Sequence, residues 1–165
     1  MKLPNAETLF ETLAQRIKPL ITADTALVGI HSGGAWLTER LLPILGPDLE
    51  NGMLDVSFYR DDYHERGLHS ETKPSQIPFD VQDKHIILID DVFYTGRTIR
   101  AAMNELFDYG RPASITLAVL VNRGGRELPI APQISAFDTT LAASQNLQLL
   151  RHDNGTFYFT LEENT

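Results

Sequence analysis

The stretch of sequence that decides the fold is HIILIDDVFYTGRT, which runs from His85 to Thr98. The run His85–Ile89 predicts a short buried strand, and apolar residues at helical spacing resume directly after Thr98. Two carboxylates, Asp90 and Asp91, follow the strand. Because ligands collect at the carboxyl ends of parallel strands, these two side chains are predicted to lie at a binding edge of the sheet.

The turn Thr95–Thr98 has the chemistry of an anion site. Gly96 permits close approach of the backbone, and the first amides of the next helix converge with the hydroxyls of the two threonines. The carboxylates of Asp90 and Asp91 can accept hydrogen bonds from two adjacent ribose hydroxyls, so one phosphorylated sugar could bridge both groups. An isolated pair of aspartates after a strand would instead be read as turn and helix-cap chemistry.

The rest of the chain alternates strand and helix signals, which argues for a mainly parallel central sheet flanked by helices, an α/β fold. The elements are predicted by apolar periodicity and are ended by Pro and Gly residues. In chain order they are a helix over Asn5–Lys18, a strand over Ala26–Ile30, a helix from Gly34 to Gly46, a strand over Leu54–Tyr59, the strand His85–Ile89, a helix carrying Ile99 to Phe107, and a central strand over Ile115–Val121.

Two further segments depart from this alternation. Apolar runs at Leu147–Leu150 and Thr156–Leu161 flank Asn154-Gly155, which is a strong signal for a C-terminal β-hairpin. The segment Arg60–Asp83 is long, charged and interrupted by Gly and Pro. Because long loops inside compact domains are usually functional lids or disordered insertions, we favour a mobile lid there.

Length and composition exclude several classes of protein. A chain of 165 residues fits one domain. No apolar stretch approaches the roughly 20 residues that cross a bilayer, and Met1–Asn5 lacks the apolar core of a secretion signal, so we expect a cytoplasmic protein without membrane contact. The absence of cysteine excludes disulfides and thiol catalysis. The net charge of -8 disfavours a protein whose whole surface binds nucleic acid.

A second turn of small residues follows the strand Ala26–Ile30. Its glycine spacing is that of a nucleotide P-loop, but Ala35 and Trp36 stand where Lys and Ser or Thr are required. A small-residue turn before a helix places backbone amides beside the first anion site, where a pyrophosphate group would fit. Glycine required by chain geometry alone is the alternative explanation. The candidate pyrophosphate loop consists of His31, Ser32, Gly33 and Gly34.

Four segments carry a resemblance to a known family. They are YRDD at Tyr59–Asp62, IPFD at Ile77–Asp80, DVFYTGRTIRAAM at Asp91–Met103 and LVNRGGRELPI at Leu120–Ile130. Together they resemble the pyrimidine operon regulatory proteins, a family of uracil phosphoribosyltransferases, over roughly Ala26 to Ile130. The apolar strand, the two acidic residues and Thr-Gly-x-Thr resemble the signature that type I phosphoribosyltransferases use for phosphoribosyl pyrophosphate (PRPP). Arg126–Pro129 separates this family from other phosphoribosyltransferases.

The resemblance implies a type I phosphoribosyltransferase fold and a reaction in which PRPP and uracil give uridine monophosphate (UMP) and pyrophosphate. It implies Mg²⁺ as cofactor, held mainly by the substrate, with no metal site of the protein's own. By position, Asp90 and Asp91 are catalytic, Arg123 contacts the substrate on the base side, and Arg66 and Lys73 are candidate phosphate partners in the lid. The segment that would bind the ribose and 5′-phosphate consists of Asp90, Asp91, Val92, Phe93, Tyr94, Thr95, Gly96, Arg97 and Thr98.

Two departures from the family pattern leave alternatives open. The family's pyrophosphate loop commonly reads Thr-Arg-Gly, whereas Ser32-Gly33-Gly34 lacks that arginine. The family is basic after Ile130, whereas Ser135–Thr140 is neutral to acidic, which counts against RNA as a partner. The alternatives are a UMP-sensing, RNA-binding attenuation regulator with weak or no catalysis, and a phosphoribosyltransferase for hypoxanthine, adenine or orotate. The family also implies regulation of pyrimidine biosynthesis genes and a homodimer or tetramer.

Overall fold

The computed structural model describes residues 2–56 and 75–164. Their helices are α1 (Ala6–Ile17), α2 (Gly33–Leu45) and α3 (Arg97–Asp108), with one 3-10 turn at Lys18–Leu20. Their strands are β1 (Thr25–Ile30), β2 (Glu50–Leu54), β3 (His85–Phe93), β4 (Ser114–Asn122), β5 (Ile134–Asp138), β6 (Gln145–Arg151) and β7 (Phe157–Glu163).

The first five strands form one parallel sheet in the order β2-β1-β3-β4-β5. β3 is in the middle, and β4, predicted as a central strand, is paired on both sides. The other two strands form the predicted antiparallel hairpin, with Asn154 and Gly155 in its turn. The α/β fold expected from the sequence is therefore confirmed. None of the helices among residues 2–56 and 75–164 is long and apolar enough to span a bilayer.

Two apolar layers cover the sheet. Leu27 and Ile87 lie on the face that packs against α1, α2 and the hairpin, while Val28 and Leu88 lie on the face that packs against α3. Because both faces are covered, β1 is buried at every residue, as its continuous apolar sequence predicts. The layers leave the carboxyl ends of the strands as the accessible edge.

α1 shows why its sequence forms a helix at this place. The side chain of Asn5 accepts hydrogen bonds from the amides of Glu7 and Thr8, at 2.9 and 3.1 Å, and so caps the first turn. The predicted apolar stripe is buried, and α1 ends at Ile17, two residues before Pro19.

Three boundaries differ from the sequence-based expectation. The strand expected over Leu54–Tyr59 is observed earlier, as β2, and its last three residues lie outside the described ranges. β2 begins at Glu50 because that residue pairs with Ala26 of β1. β3 continues past Ile89 to Phe93, because β4 continues to pair with it. β5 was not predicted from the sequence, since its short, half-exposed run has no clear period.

Candidate active site

A cavity of about 370 Å³ opens at the carboxyl edge of the sheet. Its walls come from the end of β3, the start of α2, the start of α3 and the strand β6. Three sequence-distant predictions, the carboxylate pair, the pyrophosphate loop and the base-side arginine, therefore meet in one place. The predicted site residues that line the cavity are Ser32, Gly33, Asp90, Asp91, Val92, Tyr94, Thr98 and Arg123.

The two carboxylates lie within β3 rather than beyond its end. Asp90 is 2% exposed, and its Oδ1 accepts a hydrogen bond from the Asp91 amide at 2.9 Å. Oδ1 of Asp91 accepts from the Val92 amide at 2.8 Å. The strand continues past them because Val92 pairs with Val121 of β4. Each carboxylate is thus oriented by a backbone amide of the central strand, so the pair lies on a rigid element.

The turn Thr95–Thr98 connects β3 to α3 as predicted. Gly96 has φ +101°, a left-handed conformation that favours glycine, and it is the N-cap residue of α3. Thr95 is buried, and its hydroxyl accepts a hydrogen bond from the Arg97 amide at 3.2 Å. Thr98 lines the cavity. The first turn of α3 thus lies beside the carboxylates.

Phe93 and Arg97, two residues of the predicted PRPP segment, do not line the cavity. Phe93 is 2% exposed and packs in the apolar layer beside α3. Arg97 is half exposed and forms an ion pair with Glu127 at 3.6 Å. Only the backbone of Phe93, the last residue of β3, is therefore available next to the turn. For Phe93 the reason is the period of two along β3, which points alternate side chains to opposite faces of the sheet.

The candidate pyrophosphate loop joins β1 to α2, and close packing explains its two glycines. A Cβ on Gly33 would overlap the carboxylate of Asp91, and a Cβ on Gly34 would overlap the carbonyl oxygen of Ile89. Chain geometry, the alternative explanation for these glycines, therefore applies at both positions. Ser32 is the N-cap residue and makes no side-chain capping bond to α2. The His31–Ser32 peptide bond is cis.

Arg123, the residue after β4, is 4% exposed and is held on three sides. Nη1 donates to the carbonyl of Gln145 and Nη2 donates to that of Ala142, both at 2.8 Å. The guanidinium lies over the ring of Tyr94, with Cζ 3.9 Å from the ring centroid. Burial lowers the pKa of Arg123 from its ordinary value, and the charge interaction with Tyr94 partly opposes the shift. Its buried Nε has no hydrogen-bond partner within residues 2–56 and 75–164.

The sequence did not predict the wall formed by the hairpin. Residues 145–150 of β6 line the cavity, as does Trp36 in the first turn of α2. The hairpin itself was predicted, but no local signal indicates which face of the sheet a hairpin covers. Two predicted residues, Arg66 and Lys73, and most of the candidate lid lie outside the described residues.

Comparisons with known proteins agree with this geometry. Residues 3–145 match the phosphoribosyl transferase domain family. Bifunctional protein PyrR from Pseudomonas fluorescens is 48% identical, over 90% of this chain and 91% of the relative. Bifunctional protein PyrR from Ralstonia nicotianae is 46% identical, over 98% and 96%. The chain belongs to the PyrR family of phosphoribosyltransferases.

Phosphoribosyltransferases of this kind bind PRPP together with a base, and they generally use Mg²⁺. A crystal structure of a hypoxanthine-guanine phosphoribosyltransferase from Bacillus anthracis superposes with a TM-score of 0.65, over 84% of this chain and 83% of that one. At 16% sequence identity, that likeness supports the fold alone. The described residues contain no group of three or more His, Cys, Asp or Glu side chains that could hold a metal ion.

Proposed function

We propose that this phosphoribosyltransferase transfers the phosphoribosyl group of PRPP to uracil, giving UMP and pyrophosphate. The observation that carries the proposal is that one cavity is lined by the Asp90–Asp91 pair, by both helix starts and by Arg123. Each part of PRPP and the base has a group of matching chemistry in that cavity. The roles of the individual residues below belong to the same proposal.

The sugar phosphate is held by the central strand and the turn after it. The carboxylates of Asp90 and Asp91 accept hydrogen bonds from the two ribose hydroxyls. The 5′-phosphate receives hydrogen bonds from the amides at the start of α3 and from the hydroxyl of Thr98. The pyrophosphate group lies at the start of α2. The side chain of Ser32 does not cap the helix, so the first amides of α2 can donate hydrogen bonds to the anion.

The reaction breaks the bond between C1 of the ribose and the pyrophosphate oxygen, and forms a bond from C1 to a ring nitrogen of uracil. The proton of that nitrogen passes to the departing pyrophosphate or to water. Positive charge develops on the sugar, as in glycoside transfer. The nearby Asp90–Asp91 pair stabilises that charge, and the fixed amides stabilise the departing pyrophosphate. No covalent intermediate with the protein is required.

The donor set of this cavity fits Mg²⁺. Mg²⁺ is usually bound by one or two carboxylates together with substrate phosphates and water, rather than by a cage of protein ligands. The cavity provides the carboxylates of Asp90 and Asp91 and no larger cluster in the described part of the chain. When bound with the substrate, the ion offsets the negative charge of the leaving group.

The free donor of Arg123 supports a base that carries a carbonyl oxygen. Among the described residues its buried Nε–H has no hydrogen-bond partner, whereas both Nη groups are hydrogen-bonded. Because Nε is shielded from solvent, a base reaches it only when the guanidinium or the hairpin wall shifts on binding. An acceptor on the bound base would then satisfy this donor, and a donor in the same place would leave two unpaired groups. Uracil, orotate and hypoxanthine each offer a carbonyl oxygen, but adenine does not. The feature therefore favours uracil over adenine and leaves the other two bases to experiment.

The test is a turnover assay with PRPP and Mg²⁺, using uracil, orotate, hypoxanthine and adenine in parallel. We expect UMP from uracil and no product from adenine. Turnover of hypoxanthine or orotate in place of uracil would assign the protein to another base. If no base reacts while UMP still binds, the transfer activity is lost from the proposal and the regulator remains.

The regulator is a second candidate because the relatives carry the name bifunctional protein. We propose as a second role the UMP-dependent binding of RNA from the leader of a pyrimidine operon, which controls biosynthesis genes. A gel shift with such RNA, with and without UMP, tests it, and the absence of any UMP-dependent shift contradicts it. The homodimer or tetramer implied by the family is likewise a proposal, and sedimentation velocity tests it.

A further inference from the structure

The loop that follows β4, residues Arg123–Ile130, packs against the turn Thr95–Thr98, and we call it the supporting loop. It includes the segment Arg126–Pro129, to which the proposed reaction assigns no role. None of the substrate groups placed above contacts that segment. The supporting loop nevertheless contacts Tyr94 or the turn along most of its length.

The first part of the supporting loop encloses the ring of Tyr94. The guanidinium of Arg123 lies over the ring, and Gly125 approaches the ring so closely that a Cβ on Gly125 would overlap it. Gly124 and Gly125 have φ +76° and +89°, both left-handed, which lets the backbone turn at this place. Tyr94 itself lines the cavity, directly before the turn.

The second part holds the backbone of the turn. The amides of Glu127 and Leu128 both donate to the carbonyl of Thr95, at 2.9 and 3.3 Å. Leu128 and Ile130 lie against Gly96, with their Cβ atoms 3.4 and 3.8 Å from where a Cβ of that glycine would be. The ion pair of Arg97 with Glu127 joins two half-exposed side chains at 3.6 Å. Exposed ion pairs contribute little to stability, so the turn is held mainly by the two amide hydrogen bonds and by the packing against Gly96.

We propose that the supporting loop is a positioning element that holds Tyr94 and the turn Thr95–Thr98 in the shape that binds the 5′-phosphate of the substrate. It determines the affinity for the sugar phosphate through these contacts, since they fix Tyr94, Thr95 and Gly96, whereas only its first residue, Arg123, lines the cavity itself. This inference rests on the proposed function, in which the turn is the 5′-phosphate site. The pyrophosphate loop is on a different strand and lies outside the control of the supporting loop.

The two adjacent glycines of the supporting loop provide a matched experiment. Gly124→Ala and Gly125→Ala introduce the same methyl group at the same kind of left-handed backbone position. Only the methyl group at position 125 meets the ring of Tyr94, because the nearest atoms to a Cβ at position 124 are 3.6 Å away. Calorimetry with ribose 5-phosphate measures the sugar-phosphate site, and calorimetry with Mg²⁺ and pyrophosphate measures the other site.

We expect Gly125→Ala to weaken ribose 5-phosphate binding on the order of tenfold or more, and Gly124→Ala by less than about threefold. Pyrophosphate binding should change by less than about twofold in both variants, since the amides of α2 are untouched. A merely structural role would lower both affinities together. Equal effects of the two variants on ribose 5-phosphate, or an equal loss of both ligands in Gly125→Ala, would overturn the proposal.

A second variant keeps the test decisive if Gly125→Ala does not fold. Leu128→Ala shortens a side chain that lies against Gly96, and Leu20→Ala, at an exposed leucine of the 3-10 turn, is its control. We expect Leu128→Ala to weaken ribose 5-phosphate binding by about threefold and Leu20→Ala to leave it unchanged. Wild-type protein that binds ribose 5-phosphate but turns over no base would refute the proposed function alone. Wild-type protein that binds no ribose 5-phosphate would refute the supporting role.

Discussion

Gly33 lies against Asp91, so that a methyl group at position 33 would occupy the space of the Asp91 carboxylate. Gly33 is the first residue of α2 and Asp91 lies in β3, and the two are 58 positions apart in the chain, by their numbers 33 and 91. The contact makes the start of α2 and the end of β3 one unit. It also explains why glycine suits the position at which the family pattern commonly has arginine: a longer residue requires the carboxylate to move.

The first prediction concerns this contact. Gly33→Ala meets the Asp91 side chain down to its Cβ, so rotation of that side chain relieves part of the overlap, whereas Gly34→Ala meets the backbone carbonyl of Ile89, which cannot rotate away. We expect Gly33→Ala to raise the KM for PRPP by roughly tenfold and to lower the unfolding free energy by less than Gly34→Ala does. We expect Gly34→Ala to lower the unfolding free energy by about 1–3 kcal/mol. Urea unfolding and steady-state kinetics on both variants check this, and the reverse pattern would contradict it.

The second prediction concerns the carboxylate pair. Asp90→Asn and Asp91→Asn keep the shape of each side chain but remove the charge that accepts the ribose hydroxyls. A hydrogen bond to a charged group contributes about 1.5–3 kcal/mol, so each change should lower kcat/KM for PRPP by roughly 10- to 100-fold. Asp48→Asn is the control, since Asp48 is exposed and lies ahead of β2, at the opposite edge of the sheet. Activity of both site variants at the wild-type level would remove Asp90 and Asp91 from the mechanism.

The third prediction concerns Arg123. Lysine keeps the charge but cannot donate to the carbonyls of Ala142 and Gln145 at once while retaining an Nε–H donor for the base. We expect Arg123→Lys to lower the unfolding free energy by about 1–3 kcal/mol and kcat/KM for uracil on the order of tenfold. Arg126→Lys, on an exposed residue of the same loop, should change neither quantity. Thermal unfolding and uracil kinetics provide the measurement, and a silent Arg123→Lys variant would refute both roles.

The fourth prediction concerns acid stability and involves a contact remote from the cavity. The carboxylate of Glu7 accepts hydrogen bonds from both Nη groups of Arg40, at 2.7 and 2.8 Å, and from the amide of Phe157, at 2.7 Å. These bonds link α1, α2 and β7. The bond to Arg40 lowers the pKa of Glu7 below its ordinary value of 4.5, desolvation opposes this, and the Phe157 amide adds to the lowering.

A carboxyl group whose pKa is lowered by folding stabilises the protein above its unfolded pKa, and this contribution is lost as the pH falls through the folded pKa. Glu7→Gln should therefore be less stable than wild type by about 1 kcal/mol near neutral pH, since the pair is about one-third exposed. The difference should shrink below pH 4.5, the ordinary value. Urea titrations across that range check it. Glu11→Gln, exposed on the same helix, is the control and should show no such trend.

The fold was largely predictable because its signals are local. The buried run of β1, the apolar stripe of α1 and the Asn154-Gly155 turn each reflect a period or a turn type that neighbouring residues set. The boundaries were less predictable. β2 ends at Leu54 and β3 at Phe93 because of pairing with strands that are distant in sequence.

The sequence alone determined the parallel α/β architecture and the continuous stretch Asp90–Thr98, since strand, carboxylates, turn and helix start follow one another within a few residues. Tertiary structure alone decided that Gly33 lies against Asp91, that the guanidinium of Arg123 covers Tyr94, and that β6 closes the cavity. The physical reason is that these contacts join residues far apart in the chain. Their geometry depends on strand order and on the packing of whole elements, which no local period encodes.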